Sequence, residues 1–467
     1  MSATEIDAPL ARGVIQRLAA IFPPSALALD LASRTAYSYD NSRRQGLPQA
    51  VLFATERQQI VALVALCREQ RLPLTVRGRG TGTTGASVPD QGGVVLSLER
   101  MARIIEIDPA NRTVRVEPGV TNRQLQQALA KEGFFWPPDP TSAAVCTIGG
   151  NLGYNSAGPR AVKYGTPRDN TLALTAVTGA GEILHTGVAT TKGVVGYDLT
   201  RLLIGSEGTL AIITEALLKL TPLPEAQRTL RLLYDDIAGA TSAVSAIMAQ
   251  PVTPCALEFM DSGALNLIRD YPGLDLPPEA RAMLMIEVDG SEACLDAAVA
   301  AISEAARNPS LRSLRSAASA SESKALWQAR AALSPAMRRI APHKINEDVV
   351  VPVSRIPELI SGLERLSQQY AIPIVNFGHA GNGNIHVNLL IDPHHPQQAA
   401  AAGQCLDQVF DLVLQLHGTL SGEHGVGLEK RDFIDRELDP IALGLMRSLR
   451  RLFDPDAILN PGKMLPP

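Results

Sequence analysis

Residues 376–388 read NFGHAGNGNIHVN, two histidines on either side of a run of glycine and asparagine. Gly381, Asn382, Gly383 and Asn384 are turn formers, because they tolerate backbone angles that other residues avoid. The following IHVNLL alternates like a strand, with Val387 and Leu389 on one face and His386 and Asn388 on the other. A tight turn here returns His379 to the side of His386. Two imidazoles brought together either bind a metal or serve as hydrogen-bonded polar residues of a core. A third donor stands in LSGEHGVGLEK (420–430), where Glu423 precedes His424 between glycines. His379, His386 and Glu423 form a set of two histidines and one carboxylate, which leaves positions open for water or substrate. Zinc is the default ion; manganese, iron and cobalt also suit such donors.

These residues need a scaffold. The chain has 467 residues, too many for one ordinary core, so two or three domains are expected. It is 45% hydrophobic and 19% charged, as a soluble globular protein is. The net charge, 43 − 47 = −4, excludes a basic nucleic-acid binder. Cysteines 67, 146, 255, 294 and 405 form no C-x-x-C pair and are odd in number, which points to a reducing, cytoplasmic compartment and to five small buried hydrophobes. No segment reaches the roughly 18–20 apolar residues of a membrane span, and the acidic N-terminus does not resemble a signal peptide. Any membrane association is therefore peripheral, through a partner.

In residues 56–76 a helix runs into a strand, with Ile60, Leu63, Val64 and Cys67 on the apolar face. Residues 94–98, 104–108 and 113–119 read as strands, and 121–133 as a helix with Thr121 as N-cap and Gly133 as C-cap. After about residue 223 alanine-rich helices alternate with short strands such as AMLMIEV (282–288), the texture of a separate α+β domain. Expected boundaries are 1–222, 223–420 and 421–467.

The loop VRGRGTGTTGASVPDQGG (76–93) contains G-x-G-x-x-G after a strand, the fingerprint of a doubly wound dinucleotide fold. Its context excludes that fold. The third glycine, Gly85, leads into Ala-Ser-Val-Pro and another turn where a helix is required. What remains is a loop whose backbone N–H groups can cradle a pyrophosphate, with Arg77 and Arg79 adding positive charge. A second glycine- and asparagine-rich stretch, 139–165, suits the same long polar ligand.

Taken in order, RGRGTG (77–82), DPTS (139–142), GGN with Asn155 (149–155), GSEGTL (205–210) and NPGK (460–463) resemble the FAD-linked oxidases of the vanillyl-alcohol-oxidase type. Within them the chain is similar to the D-2-hydroxy-acid dehydrogenases: D-lactate dehydrogenase, the glycolate oxidase flavin subunit and D-2-hydroxyglutarate dehydrogenase. The resemblance covers about residues 45 to 463. It implies an α+β protein, with a two-part FAD-binding domain and an α+β substrate domain built on an antiparallel sheet, and a C-terminal segment returning to the FAD domain. It implies that Arg77, Gly78, Arg79, Gly80, Thr81, Gly82 and Thr83 wrap the FAD pyrophosphate. Pro140, Thr141, Ser142, Gly149, Gly150, Asn151, Asn155, Glu207, Gly208, Ile213 and Asn460 line the rest of the cofactor. The first loop has no histidine, so the FAD is expected to be non-covalent.

The resemblance also makes GHAGNGNIHVN and SGEHG the metal motifs and His424 the base that takes the substrate hydroxyl proton. W-x-x-R, Trp327 to Arg330, resembles the carboxylate-binding arginine, and an arginine can grip a carboxylate with two parallel hydrogen bonds. Asn388, beside His386 on its strand face, is expected to hydrogen-bond the substrate. Lys344 is a further candidate, but hydroxyglutarate-type enzymes carry a lysine where Asn346 stands, which tilts the reading towards a small monocarboxylic substrate. The implied function is oxidation of a D-lactate-like 2-hydroxy acid, with electrons passed to a quinone, a cytochrome or an electron-transfer flavoprotein. The rival readings are an obligate subunit of a glycolate oxidase complex, a hydroxyglutarate dehydrogenase, a flavin-free metallohydrolase and a non-enzymatic flavoprotein. A homodimer is also compatible with the sequence.

Overall fold

A computed structural model of the chain describes residues 9–466 apart from Gly273 and Pro393; the acidic lead-in at 1–8 lies outside the described residues. The chain divides into two compact units, one of Met1–Ala157, Gly165–Leu223 and Glu423–Pro467, the other of Gly158–Tyr164 and Pro224–Gly422.

The first unit holds three sheets, one of them only a two-residue pairing of Phe134–Phe135 with Thr221–Pro222. In the first, strands β1 (Ala50–Phe53), β2 (Leu74–Arg77) and β3 (Val94–Ser97) run parallel in the order β1-β3-β2, and the short strand Leu27–Ala28 pairs antiparallel with the outer edge of β1. Helix α1 (Arg57–Gln70) makes the crossover; its Ile60, Leu63, Val64 and Cys67 are buried against these strands, and it closes on Arg71 in the left-handed conformation. Nearly every residue of the three strands is buried, as a short parallel sheet requires. No helix follows Gly85; turns carry the chain straight into β3.

The second sheet is antiparallel, in the order β4-β5-β8-β6-β7, from β4 (Ile104–Asp108), β5 (Thr113–Val116), β6 (Thr171–Thr178), β7 (Ile183–Gly187) and β8 (Ala211–Lys219). Helix α2 (Asn122–Ala130) starts on a capping box between Thr121 and Gln124. It ends earlier than its sequence suggests: Lys131 is the C-cap, and Gly133, at φ +78°, turns the chain after the helix has closed. Helix α3 (Ile148–Tyr154) is capped by Thr147, whose hydroxyl accepts from the Gly150 N–H.

The second unit is built on one antiparallel sheet of seven strands. These are β9 (Ala226–Tyr234), β10 (Ala256–Met260), β11 (Ala282–Gly290), β12 (Leu311–Ser316), β13 (His343–Val350), β14 (Ile374–Gly378) and β15 (Asn384–Ile391), in the order β12-β9-β11-β10-β14-β15-β13. Register places Met285 opposite Glu258, Met260 opposite Phe377, Phe377 opposite His386, and Asp348 opposite His386 on its other side. Glu258, Met260, Phe377, His386 and Asn388 therefore share one face. Helix α4 (Ala320–Ala336) covers that face, burying Leu326, Ala329 and Leu333 with Met260, Met283, Met285 and Phe377.

Candidate active site

Why His379 and His386 meet follows from the turn between them. Strand β14 ends at Gly378, residues 380–382 form one tight helical turn, and Gly383 at φ +77° starts the return as β15. A side chain at Gly383 would collide with the Val351 carbonyl, its Cβ lying 1.9 Å from that oxygen. The two imidazoles stand edge to face, with centroids 5.1 Å apart, and both are buried.

The sheet adds a residue that the motifs did not identify. Glu258, fully buried at the centre of the sheet, accepts from His379 Nδ1 at 2.5 Å and from Arg330 Nε at 2.6 Å, on separate carboxylate oxygens. Burial alone would raise this carboxyl, but its His379 and Arg330 partners outweigh it and hold it down to about 2. Its signal in the sequence is slight, a lone acid in the apolar strand ALEFM. Arg330 projects from α4 and lies over the Phe377 ring, 4.5 Å from its centroid. With Nε on Glu258, its terminal Nη groups donate to no described residue. Trp327, one turn earlier, donates from Nε1 to the buried Glu287 and pins the helix to the sheet.

Glu423 follows a backbone segment fixed to β13. The Gly422 N–H donates to both the backbone carbonyl and the carboxylate of Asp348, each at 2.9 Å, and Asp348 is the register partner of His386. One residue later, Glu423 must lie near that pair. Donor atoms of His379, His386 and Glu423 all fall within 4.8 Å of one another, a spacing a divalent ion can span. With Nδ1 of His379 engaged by Glu258, the other ring nitrogen is the one chemically suited to a metal, and the anion behind the ring fits the pattern of carboxylate-supported histidine ligands. His424 lies 4.0 Å from Glu423, Nε2 to Oε1, and its carbonyl accepts from Thr84 Oγ1.

The remaining predicted catalytic residues stand in different situations. Asn388 is fully buried on the His386 face, and its Nδ2 donates to the Val375 and His386 carbonyls at 3.1 Å each. Both N–H bonds are thus internal, and Oδ1 is buried with no described partner. The amide cannot be the donor to a substrate. Lys344, at the start of β13, donates from Nζ to Ser334, four residues beyond Arg330 on α4. His185, His343, His394, His395 and His417 are exposed.

In the first unit the loop Gly78–Thr83 is partly open, and its six backbone N–H groups donate to no described residue. Such a run of unengaged amides fits a diphosphate. The loop runs beside α3: a Cβ on Gly78 would come within 2.4 Å of Thr147 Oγ1, and one on Gly82 within 2.5 Å of the Tyr154 hydroxyl. Gly149 and Gly150, at the start of α3, and the Pro140–Ser142 turn are partly or fully exposed as well. Arg79 is half exposed and pairs with Glu99 at 3.5 Å.

Other cofactor candidates turn their side chains into the protein. Arg77 donates to the Tyr39 carbonyl at 2.7 Å and lies over Tyr37, so its guanidinium braces the loop from behind instead of facing an anion. Asn151 is buried among Asn122, Cys146 and Ser156. Asn155, left-handed at the end of α3, accepts from the Arg168 N–H. Asn460 is a stitch, accepting from the Val76 N–H and donating to the Glu207 carbonyl, and a Cβ on Gly208 would come within 2.9 Å of its Nδ2. Ile213 is buried in β8. Glu207 accepts from the Val426 and Gly427 N–H groups on its two carboxylate oxygens, so its side chain holds the turn that follows Glu423.

Four cysteines are buried and Cys294 is exposed, against the expectation that all five are inside. A 14-residue helix with only Leu295 and Ile302 buried leaves Cys294 on its outer face. Burial pushes Cys67 up to about 12 and Cys405 up to about 11, which makes them unreactive. Cys146 packs on Asn151.

Comparison with known proteins identifies two family regions along the chain. Residues 48–187 match an FAD binding domain, and residues 223–464 match the C-terminal domain of FAD linked oxidases. The chain is 39% identical to the glycolate oxidase subunit GlcD of Bacillus subtilis over 93% of its length and 92% of that protein. It is 34% identical to a D-lactate dehydrogenase of Anaerostipes hadrus, covering 89% of each. Among solved structures, p-cresol methylhydroxylase with substrate bound superposes with a TM-score of 0.79 over 98% of both chains at 17% identity, a likeness of fold.

Proposed function

The chain belongs to the FAD-linked oxidases, and on that premise we propose that it oxidises a small D-2-hydroxy acid of the lactate type to the 2-keto acid. As a member of that family it is an FAD-dependent oxidoreductase. The observation that carries the substrate reading is Arg330, whose terminal edge is unengaged while its Nε shares Glu258 with His379. A guanidinium held this way can donate two parallel hydrogen bonds to a carboxylate. FAD supplies the hydride acceptor for the Cα hydrogen, and a divalent metal on His379, His386 and Glu423, zinc by default, supplies Lewis acidity towards the hydroxyl. Arg330 orients the acid by its carboxylate. His424 takes the hydroxyl proton. The unengaged amides of Gly78–Thr83 hold the diphosphate. No histidine stands in that loop, so the FAD is read as non-covalent.

A second reading keeps the chemistry and makes the chain the flavin subunit of a glycolate oxidase complex. It is favoured by the 39% identity to a protein named as a subunit. The acceptor in either case is a quinone, a cytochrome or an electron-transfer flavoprotein. No helix of the described residues is long and apolar enough to cross a membrane. We place the protein in the cytoplasm, reaching any membrane acceptor through a partner. Dye-linked oxidation by the isolated chain separates the readings. Reduction of an artificial acceptor with D-lactate, and not with L-lactate, supports the lone dehydrogenase. Activity with glycolate only after partner subunits are added supports the complex, and activity with neither acid contradicts both.

A further inference from the structure

Glu258 is placed to do more than neutralise one cation. Its position is rigid, because β10 lies inside the sheet between β11 and β14 and the side chain has no solvent exposure. One carboxylate oxygen takes Nδ1–H of His379, beyond the end of β14, and the other takes Nε–H of Arg330, on α4. A structural ion pair needs one partner; this carboxylate has two, on different elements. Both belong to the groups read above as ligand holders. Phe377 lies under the guanidinium, so Arg330 is fixed by its face and one edge, leaving the terminal edge as the one presented to a ligand.

Resting on the metal reading of His379, we infer that Glu258 is a positioning residue that joins the metal set to the substrate-carboxylate site. It fixes the His379 tautomer with hydrogen on Nδ1, leaving the other nitrogen as the donor. It also orients Arg330. A metal that draws density from the imidazole strengthens the Nδ1–H bond to Glu258 and loosens that anion's hold on Arg330, so metal and carboxylate favour each other. The sharing of one carboxylate makes the coupling reciprocal.

The test uses the FAD-loaded full chain and its Glu258→Gln variant. Zinc affinity is read by competition with a coloured chelator, alongside KM and kcat for D-lactate and the flavin absorbance. The inference expects zinc affinity to fall roughly 10- to 100-fold and KM to rise about tenfold, with FAD content unchanged. Zinc affinity and KM both within about twofold of the parent would overturn it. Should the variant not fold, histidine nitrogen NMR on the metal-stripped parent decides, with His379 assigned by its loss in His379→Gln. A signal with hydrogen on Nδ1 supports the inference, and one with hydrogen only on Nε2 refutes it. A parent chain that binds no zinc would remove the metal reading, while the tautomer still reports on Glu258.

Discussion

Glu207 holds Gly427: the Gly427 N–H donates to one oxygen of the Glu207 carboxylate at 2.8 Å, and the Val426 N–H to the other at 2.6 Å. Glu207 does so from a left-handed backbone, φ +52°, a conformation that carries strain in a residue with a side chain. Burial pushes its carboxyl up from 4.5 to about 7, against the pull of the two N–H bonds. A carboxyl raised on folding contributes stability that is complete below its unfolded value and lost as pH rises through the folded one. The parent should therefore lose up to about 3 kcal/mol between the unfolded and folded values, and Glu207→Gln should flatten that dependence. Urea unfolding of the FAD-bound protein at several pH values measures it. Equal slopes for parent and variant would show that Glu207 does not titrate there.

His386→Gln removes one of the three proposed metal donors and leaves the sequence of the Gly78–Thr83 loop unchanged. The expected result is loss of bound zinc, a fall in kcat of at least about 100-fold and an unchanged flavin spectrum. Metal analysis beside steady-state kinetics checks it. Full zinc content in the variant would place the ion elsewhere.

Arg330→Lys keeps the charge and loses the planar fork. It should raise KM for the hydroxy acid about 10- to 100-fold, with a smaller effect on kcat, because a lysine cannot hold Glu258 and a carboxylate on fixed edges. Saturation kinetics with D-lactate give both constants, and an unchanged KM would release Arg330 from substrate binding.

How legible was this site in the sequence? The helix face of Ile60, Leu63, Val64 and Cys67 is the buried face of α1. The turn residues Gly381, Asn382 and Gly383 announced the return of β15, and alternation put His386 and Asn388 on one side of it. Local periods and turn chemistry carry such features, because neighbours along the chain decide them. Glu258 was not legible. It is 121 residues from His379 and 72 from Arg330, and strand order alone brings the three together. For the same reason the motifs mark Glu207 and Asn460 as cofactor positions without showing where their side chains point. A motif marks a position, but the direction of its side chain depends on partners such as Val426 and Val76, which sequence order does not reveal.

Gly80→Ala tests the diphosphate loop. Gly80 sits at φ +65°, and a Cβ there would lie 2.2 Å from Arg77 Nη2. The added methyl must displace the guanidinium that braces the loop or bend the loop itself. The expected cost is about 1–3 kcal/mol in stability, with weaker FAD retention on dialysis. Absorbance per protein after dialysis measures that retention. Parental FAD content would mean that the loop can move without affecting the cofactor.

Anaerobic mixing of the purified protein with D-lactate, watched through the flavin absorbance near ~450 nm, tests the central claim most directly. D-lactate should bleach the flavin, L-lactate should not, and prior chelation should stop the bleaching until zinc or manganese is restored. A protein whose flavin is bleached equally well after complete removal of metal would contradict it, and would leave His379, His386 and Glu423 without the role assigned to them.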